Sequence, residues 1–421
     1  MDFKALTAST LGAYLRTLPA IQAQLGNMDE LDIVEVGDGN LNFVYFVSSH
    51  ANPAKSIVVK QALPYVRLVG EGWPLTRHRA DREAHALHRF STLCPQHVPV
   101  VFYADSAQSL IAMEHLRGQI ILRKGLIDGV IYPQLADHLS TYLAQTLFHG
   151  SDLYLSADTK KQAVAGTTNS ELCKITEDLI FTYPFEDHPT NVYSLALPRR
   201  AIERLHQPQV RLAAAQMKWV FMNKSESLLH GDLHTGSVMV SQTNTYVIDP
   251  EFACYGPIGF DVGMLLANFL MAYLSQDWQR VQVGQEPEPY QVWLLEQVSC
   301  MWTGFSEKFL VLWANHEAQV EVGFMGSGRD KQSLVLYRQA FMRQVFCDAL
   351  GFAACEMVRR TLGMAKVAEI AAITDATARA LIEIRTLYLA EILLLQREQI
   401  QDIAAVLALA HQSKTVSGVS A

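Results

Sequence analysis

The sequence predicts an α+β protein of two lobes: a small antiparallel β-sheet lobe over residues 1–116 and a larger, mainly helical lobe over 117–421. Three observations predict it. Short runs alternating apolar and polar residues, bounded by turn signals, dominate from Leu31 to Glu114. Beyond Leu116 the apolar residues recur at helical spacing instead. A chain of 421 residues, half of them apolar, is also long enough for more than one packed unit at roughly 150 residues per domain.

Taken in order, Leu6 to Leu25 has the spacing of one or two short helices. Leu31–Val36 alternates, Gly37-Asp38-Gly39-Asn40 turns the chain, and Phe43–Val47 returns. A polar loop from Ser48 to Lys55 leads to a third strand, Ser56–Lys60. Arg77–Phe90 is a polar helix with Ala84, Leu87 and Phe90 on one face, and Val100–Tyr103 and Ser109–Met113 are further strands. Tyr132–Phe148, Ser170–Phe181, Val210–Phe221, Val262–Leu274, Tyr290–Glu317 and the stretch from Ser333 to the tail carry helical periodicity. Among them Ser237–Ser241 and Thr245–Ile248 form a hairpin.

Charge and cysteine usage exclude several classes. Lys and Arg number 34 against 42 Asp and Glu, a net charge of −8. That argues against a nucleic-acid partner, which needs a basic stripe, and offers no polybasic signal for a membrane surface. The longest apolar stretch, Val262 to Leu274, is interrupted by Asn268 and falls short of the roughly 18 residues of a membrane span. Met1-Asp2-Phe3-Lys4 lacks a secretory pattern, and the six scattered cysteines contain no C-x-x-C. The expectation is a soluble cytoplasmic protein with reduced thiols.

Chemistry concentrates in His230-Gly-Asp-Leu-His-Thr-Gly-Ser237, the hairpin that follows, and Asp249-Pro-Glu-Phe-Ala253. A hairpin returns the chain to its start, so Asp232, Asp249 and Glu251 are expected to crowd one volume. Three such carboxylates repel unless a cation sits among them, and oxygen ligands favour Mg²⁺ or Ca²⁺. His230 and His234 lie on a loop rather than a helix, and are expected to bond its backbone rather than a metal. The Gly37–Asn42 turn, with Asn40 in it, is of the kind that brings backbone N–H groups against phosphates. Lys60 shares a strand face with Val58, opposite Ile57 and Val59. It either snorkels to solvent or reaches into a cleft for a phosphate. Glu83 is a candidate partner for it or an exposed helix acid. At the lobe junction, the backbone of Glu114 and Leu116 is placed to meet an adenine edge.

In this order, glycine turn, strand lysine, helix glutamate, junction, His-x-Asp loop, hairpin and metal acid resemble the protein-kinase-like fold, and HGDLH is similar to its aminoglycoside- and choline-phosphorylating branch. Gly37–Asn42, Glu71-Gly-Trp-Pro-Leu75, the His230 and Asp249 segments and Val358-Arg-Arg-Thr-Leu-Gly363 together resemble the S-methyl-5-thioribose kinase family. Asn169–Asp178 is similar as well, without an evident role. The resemblance implies ATP- and Mg²⁺-dependent phosphorylation of the 1-hydroxyl of a thiosugar. It makes Asp232 the base, Asp249 and Glu251 the metal ligands, and Arg359, Arg360 and Trp73 substrate neighbours; it also implies a homodimer. Consecutive helix positions point about 100° apart, so the two side chains are not expected to share one face, and at least one of them is expected to reach the cleft. From the residues alone, a kinase for an aminoglycoside, choline or homoserine stays open, as does a non-catalytic nucleotide-binding scaffold.

Overall fold

The computed structural model describes residues 3–36, 41–67, 70–319 and 331–417. The turn of residues 37–40, and with it the expectation for Asn40, lies outside them.

The strands run β1 (Leu31–Glu35), β2 (Asn42–Ser49), β3 (Asn52–Ala62), β4 (Tyr65–Val66), β5 (Gly70–Pro74), β6 (Val101–Asp105) and β7 (Leu110–Glu114). Five of them form one antiparallel sheet in the order β1-β2-β3-β7-β6, while β4 and β5 pair separately. The pleat divides β3 as its alternation predicts. Ile57 and Val59 pack with Leu11, Leu15, Ile21 and Leu25 of the two N-terminal helices, Ala8–Leu15 and Pro19–Leu25. Val58 faces the opposite core with Ala84, Leu87 and Phe90 of the Arg79–Leu93 helix. Lys60 shares that second face and is held between sheet and helix, 9% exposed.

The rest of the chain is mainly helical. Its short strands are β8 (Ile120–Ile121), β9 (Ser227–Leu228), β10 (Val238–Val240), β11 (Thr245–Val247) and β12 (Tyr255–Gly256). The β10–β11 hairpin has the expected form, Val238 opposite Val247, and β8 adds to its free edge. The chain just past the lobe junction is thereby stitched to the hairpin that carries the acids. The helix Gly259–Gln282 is buried along most of its length and extends beyond the apolar run at both ends. Gly263 lets the Lys331–Leu362 helix approach it: a Cβ there would stand 2.5 Å from the Ala349 carbonyl oxygen. That contact carries Arg359 and Arg360, in the last turn of Lys331–Leu362, toward the loop at the other helix's start.

The helical stretch from Ser333 divides into four helices, Lys331–Leu362, Ala368–Ala371, Ala376–Gln396 and Ile403–Ser413. Gly363 stands at the first break. Asp375 and Asp402 start the later helices by accepting from the Ala378 and Ala405 N–H groups at 2.8 and 2.9 Å. Apolar period alone does not register these caps. Among the described residues, no helix is long and apolar enough to cross a membrane.

Candidate active site

Lys60 is the centre of one charged cluster. Its ammonium lies 2.7 Å from Glu83, which is 2% exposed, and also bonds Asp249. Glu251 accepts from Asn42 at 2.9 Å and pairs at 3.2 Å with Arg79, a guanidinium fully buried under the sheet. Glu83, Asp249 and Glu251 present oxygens all within 4.8 Å of one another. The acid that joins Asp249 and Glu251 is therefore Glu83, from the Arg79–Leu93 helix, where the hairpin argument had placed Asp232. Burial opposes the charge on Lys60, but Asp249, Glu83 and Glu251 outweigh it and raise its pKa. Burial also pushes the Glu83 and Glu251 carboxyls up. Three carboxylates face two cations, an excess of one negative charge, and carboxylate oxygens suit a hard cation such as Mg²⁺. Asp249 has the left-handed backbone φ of 69°, a conformation strained for an L side chain, and its carboxylate is the exposed one of the three, at 45%.

The loop from His230 to Ser237 is built around Asp261. That buried carboxylate, in the first turn of Gly259–Gln282, accepts from the His230 and Gly231 N–H groups at 2.7 and 3.1 Å. Gly231 adopts φ 86°, and a Cβ there would meet the Phe252 carbonyl oxygen at 2.2 Å, so loop and acid segment pack only around glycine. His230 donates from Nε2 to the Ile248 carbonyl at 2.8 Å and accepts from the Asp232 N–H at 3.3 Å. His234 accepts from the Gly236 N–H at 3.0 Å and lies 3.4 Å from the Asp232 carboxylate. Both histidines thus serve the loop, as expected. Ser237 donates to the Asp232 carbonyl at 3.0 Å, which spends its hydroxyl within the loop.

Both arginines reach Asp232. Arg359 Nη1 and Arg360 Nη2 each stand 3.6 Å from its Oδ1. They are gathered by Glu356, fully buried one turn earlier, which pairs with Arg359 at 3.1 Å and also bonds Arg360. Positions i+3 and i+4 both neighbour position i, and long side chains bridge the remaining angle. The 100° spacing alone would keep the two side chains off one face, yet both turn to the same carboxylate, and the expectation is corrected on that point only. Burial acts to raise the Asp232 pKa, but His234 and then Arg359 and Arg360 hold it well below the usual carboxylate range. Asp232 is therefore an ionised, oriented acceptor for a proton.

The remaining candidates divide. Glu114 closes β7, its carboxylate accepting from the Val100 N–H at 3.2 Å, and Leu116 is buried at the junction. Trp73 packs with Leu75, Leu172, Ile175 and Phe252, and lines a groove of about 620 Å³ shared with Lys174, Tyr183 and His188. It stands against the Ser170–Phe181 helix, next to the residue that follows Glu251, rather than among the arginines' partners. Asn169, at the start of that helix, donates to the Glu251 and Ala253 carbonyls. Sequence reasoning missed Asp261, Arg79 and this use of Asn169. For Asp261 a signal existed: an acid beside a long apolar run must have a buried partner.

What such a site can do is move a phosphoryl group: a buried lysine for phosphate charge and acids for a metal stand beside an ionised aspartate for the attacking hydroxyl. Phosphotransferases of the kinase-like fold are the class that this arrangement defines. Comparison with known proteins agrees. Residues 32–293 match the model of the phosphotransferase enzyme family. The chain is 43% identical to methylthioribose kinase 1 of Oryza sativa subsp. japonica, over 96% of this chain and 94% of that one. It is 42% identical to the methylthioribose kinase of Geobacillus sp. (strain WCH70), over 87% of each. A solved glucosamine kinase in complex with glucosamine, ADP and inorganic phosphate is 17% identical over 84% of this chain and 83% of that one, with a TM-score of 0.38, too distant to carry an argument. The chain belongs to the phosphotransferase enzyme family and, within it, to the methylthioribose kinases.

Proposed function

We propose that the protein transfers the γ-phosphoryl group of ATP to the 1-hydroxyl of S-methyl-5-thioribose, giving S-methyl-5-thioribose 1-phosphate, a step of methionine salvage. The observation that carries this reading is Asp232, ionised under two guanidinium groups and one hairpin away from the Lys60 cluster. Lys60, positioned by Glu83, holds the nucleotide phosphates together with Asn40, and the Glu114–Leu116 backbone meets the adenine edge. Asp249 and Glu251 are the residues that would hold Mg²⁺, which supplies charge neutralisation across the phosphate oxygens. Asp232 orients the acceptor hydroxyl and takes its proton as bond formation makes the hydroxyl acidic. Arg359 and Arg360 neutralise charge on the acceptor side, and Trp73 covers that side from the β5 segment. We divide the lobes after residue 116.

Arg123, Arg359 and Arg360 balance Asp232, Glu356 and Glu369 around the acceptor, which suits a neutral thiosugar and seats a polycation poorly. A homodimer fits the exposed apolar face of Leu212, Trp219 and Met222 on the Pro208–Asn223 helix, and unpaired cysteines fit the cytoplasm. The test is ATP consumption over a panel of methylthioribose, ribose, choline, homoserine and kanamycin, with Asp232→Asn alongside. Methylthioribose should be preferred, and the variant should lose roughly 10²–10⁴ in turnover while still binding ATP. Preference for another acceptor, or near-normal turnover in the variant, would sink the reading.

A further inference from the structure

Beside the phosphoryl-transfer residues lies a second set of charged groups whose hydrogen-bonding capacity is not used. Glu369, on the Ala368–Ala371 helix, is 2% exposed, yet neither carboxylate oxygen accepts a hydrogen bond from another described residue. Its ion partner Arg123 stands at 3.3 Å, Nε to Oε2, outside hydrogen-bond geometry, and that Nε likewise lacks a partner among the described residues. Arg359 Nε and Arg360 Nη2, in side chains 10% and 6% exposed, are in the same condition. The groups form one electrostatic unit: Arg123 feels Glu369, Arg360 and Asp232, and Arg360 feels Asp232 and Glu369.

Arg123 is not adrift. Its own backbone N–H donates to the Thr235 carbonyl at 3.0 Å, and its Nη2 donates to Asn268 at 3.1 Å. Asn268, which interrupts the apolar run of its helix, also accepts from the Thr235 hydroxyl at 3.2 Å. The guanidinium is thus anchored to the His230–Ser237 loop, with its Nε–H unused among the described residues.

Buried polar groups left unmet are costly, and a fold keeps them where something else completes them. Carboxylate oxygens only accept and guanidinium N–H groups only donate. A hydroxyl satisfies both, since it donates and accepts, and two carboxylate oxygens side by side suit two neighbouring hydroxyls. Three guanidinium groups against three carboxylates leave no net charge, so the completing ligand is neutral.

Resting on the acceptor reading above, we propose that Glu369 and Arg123 bind the vicinal hydroxyls of a neutral pentose, Glu369 accepting from them and Arg123 donating to them, and thereby select for a diol beside the reacting hydroxyl. The alternative is an ion pair that only anchors the Ala368–Ala371 helix. Steady-state kinetics on methylthioribose and its 2-deoxy and 3-deoxy analogues separates the two. The parent enzyme should favour the full diol over at least one analogue by about 10²-fold or more in kcat/KM, because a site built to bond a hydroxyl rejects the analogue lacking it. In Glu369→Gln and Arg123→Lys that preference should shrink at least tenfold, through loss on the full substrate, with the KM for ATP unchanged. A structural role would lower all three substrates alike and leave the ratio intact, which overturns the proposal. So would a parent indifferent to both missing hydroxyls, and so would failure of both variants to fold. A parent inactive on methylthioribose would instead defeat the acceptor reading, which the parent rates alone reveal.

Discussion

Asn169 donates from Nδ2 to the backbone carbonyl of Glu251 at 2.8 Å, although the two residues are 82 positions apart. The same amide reaches the Ala253 carbonyl at 3.2 Å, and the side chain is 6% exposed. The start of the Ser170–Phe181 helix therefore clamps the segment that carries Asp249 and Glu251. Asn169→Ala leaves two carbonyls without that donor, at about 1–3 kcal/mol for each buried group left unsatisfied. Thermal unfolding should show a lower Tm, and titration of activity with Mg²⁺ should show a higher requirement. An unchanged requirement would reduce Asn169 to a helix-start residue.

Asp261 should matter to turnover without touching substrate. Asp261→Asn keeps the size of the side chain but turns an NH₂ toward one of two N–H donors, so one loop hydrogen bond is lost and two donors oppose each other. A cost of about 1–3 kcal/mol in stability is expected, with kcat reduced and the KM for ATP little changed, because the loop that aims Asp232 loosens. Circular dichroism melts and steady-state kinetics check both parts. A fall in stability with kcat intact would separate Asp261 from the aim of Asp232.

Asp249 and Glu251 should behave differently when neutralised. Asp249 is 45% exposed, so Asp249→Asn should raise the Mg²⁺ requirement with little change in Tm. Glu251 is the carboxylate paired with the fully buried Arg79, so Glu251→Gln breaks that buried ion pair and should lower the Tm as well. Equal Tm values for the two variants would refute this division.

The pH dependence has a definite sign. The folded pKa of Asp232 is lowered, chiefly by His234 and then Arg359 and Arg360, against burial. A lowered carboxylate contributes its stability in full above the unfolded value of about 3.9 and loses it as pH falls through the folded value. The acceptor kcat/KM should therefore show no acid limb from Asp232 between about pH 5 and 8. Arg360→Met removes one cation, and the limb should move to higher pH. A pH–rate profile that stays put would show that the arginines do not tune this group.

The sheet and the helices that frame the site were legible because burial on one face imposes periods of two and 3.6. β3 is the clearest case: Ile57 and Val59 against the N-terminal helices already assigned Lys60 to the other side. Tertiary choices were not legible. Glu83 and Asp232 are both acids within reach of the hairpin by sequence, and only the packing of the Arg79–Leu93 helix under the sheet decides which joins Asp249 and Glu251. The break after Leu362 and the gathering of two adjacent arginines by Glu356 likewise depend on cap geometry and side-chain reach, which apolar periodicity does not encode.

The balance of three guanidinium groups and three carboxylates around the acceptor also constrains how such an enzyme can diverge. Losing Arg359 and Arg360 would take two substitutions in one helix turn and would turn a neutral pocket into an acidic one, congenial to amines, with the Lys60 cluster untouched. Those same substitutions strand the fully buried Glu356, at about 3–5 kcal/mol for a buried charge left alone, a large share of a typical domain's stability. Such a crossing is thus open only to lineages that first gain stability elsewhere or lose the glutamate together with its arginines.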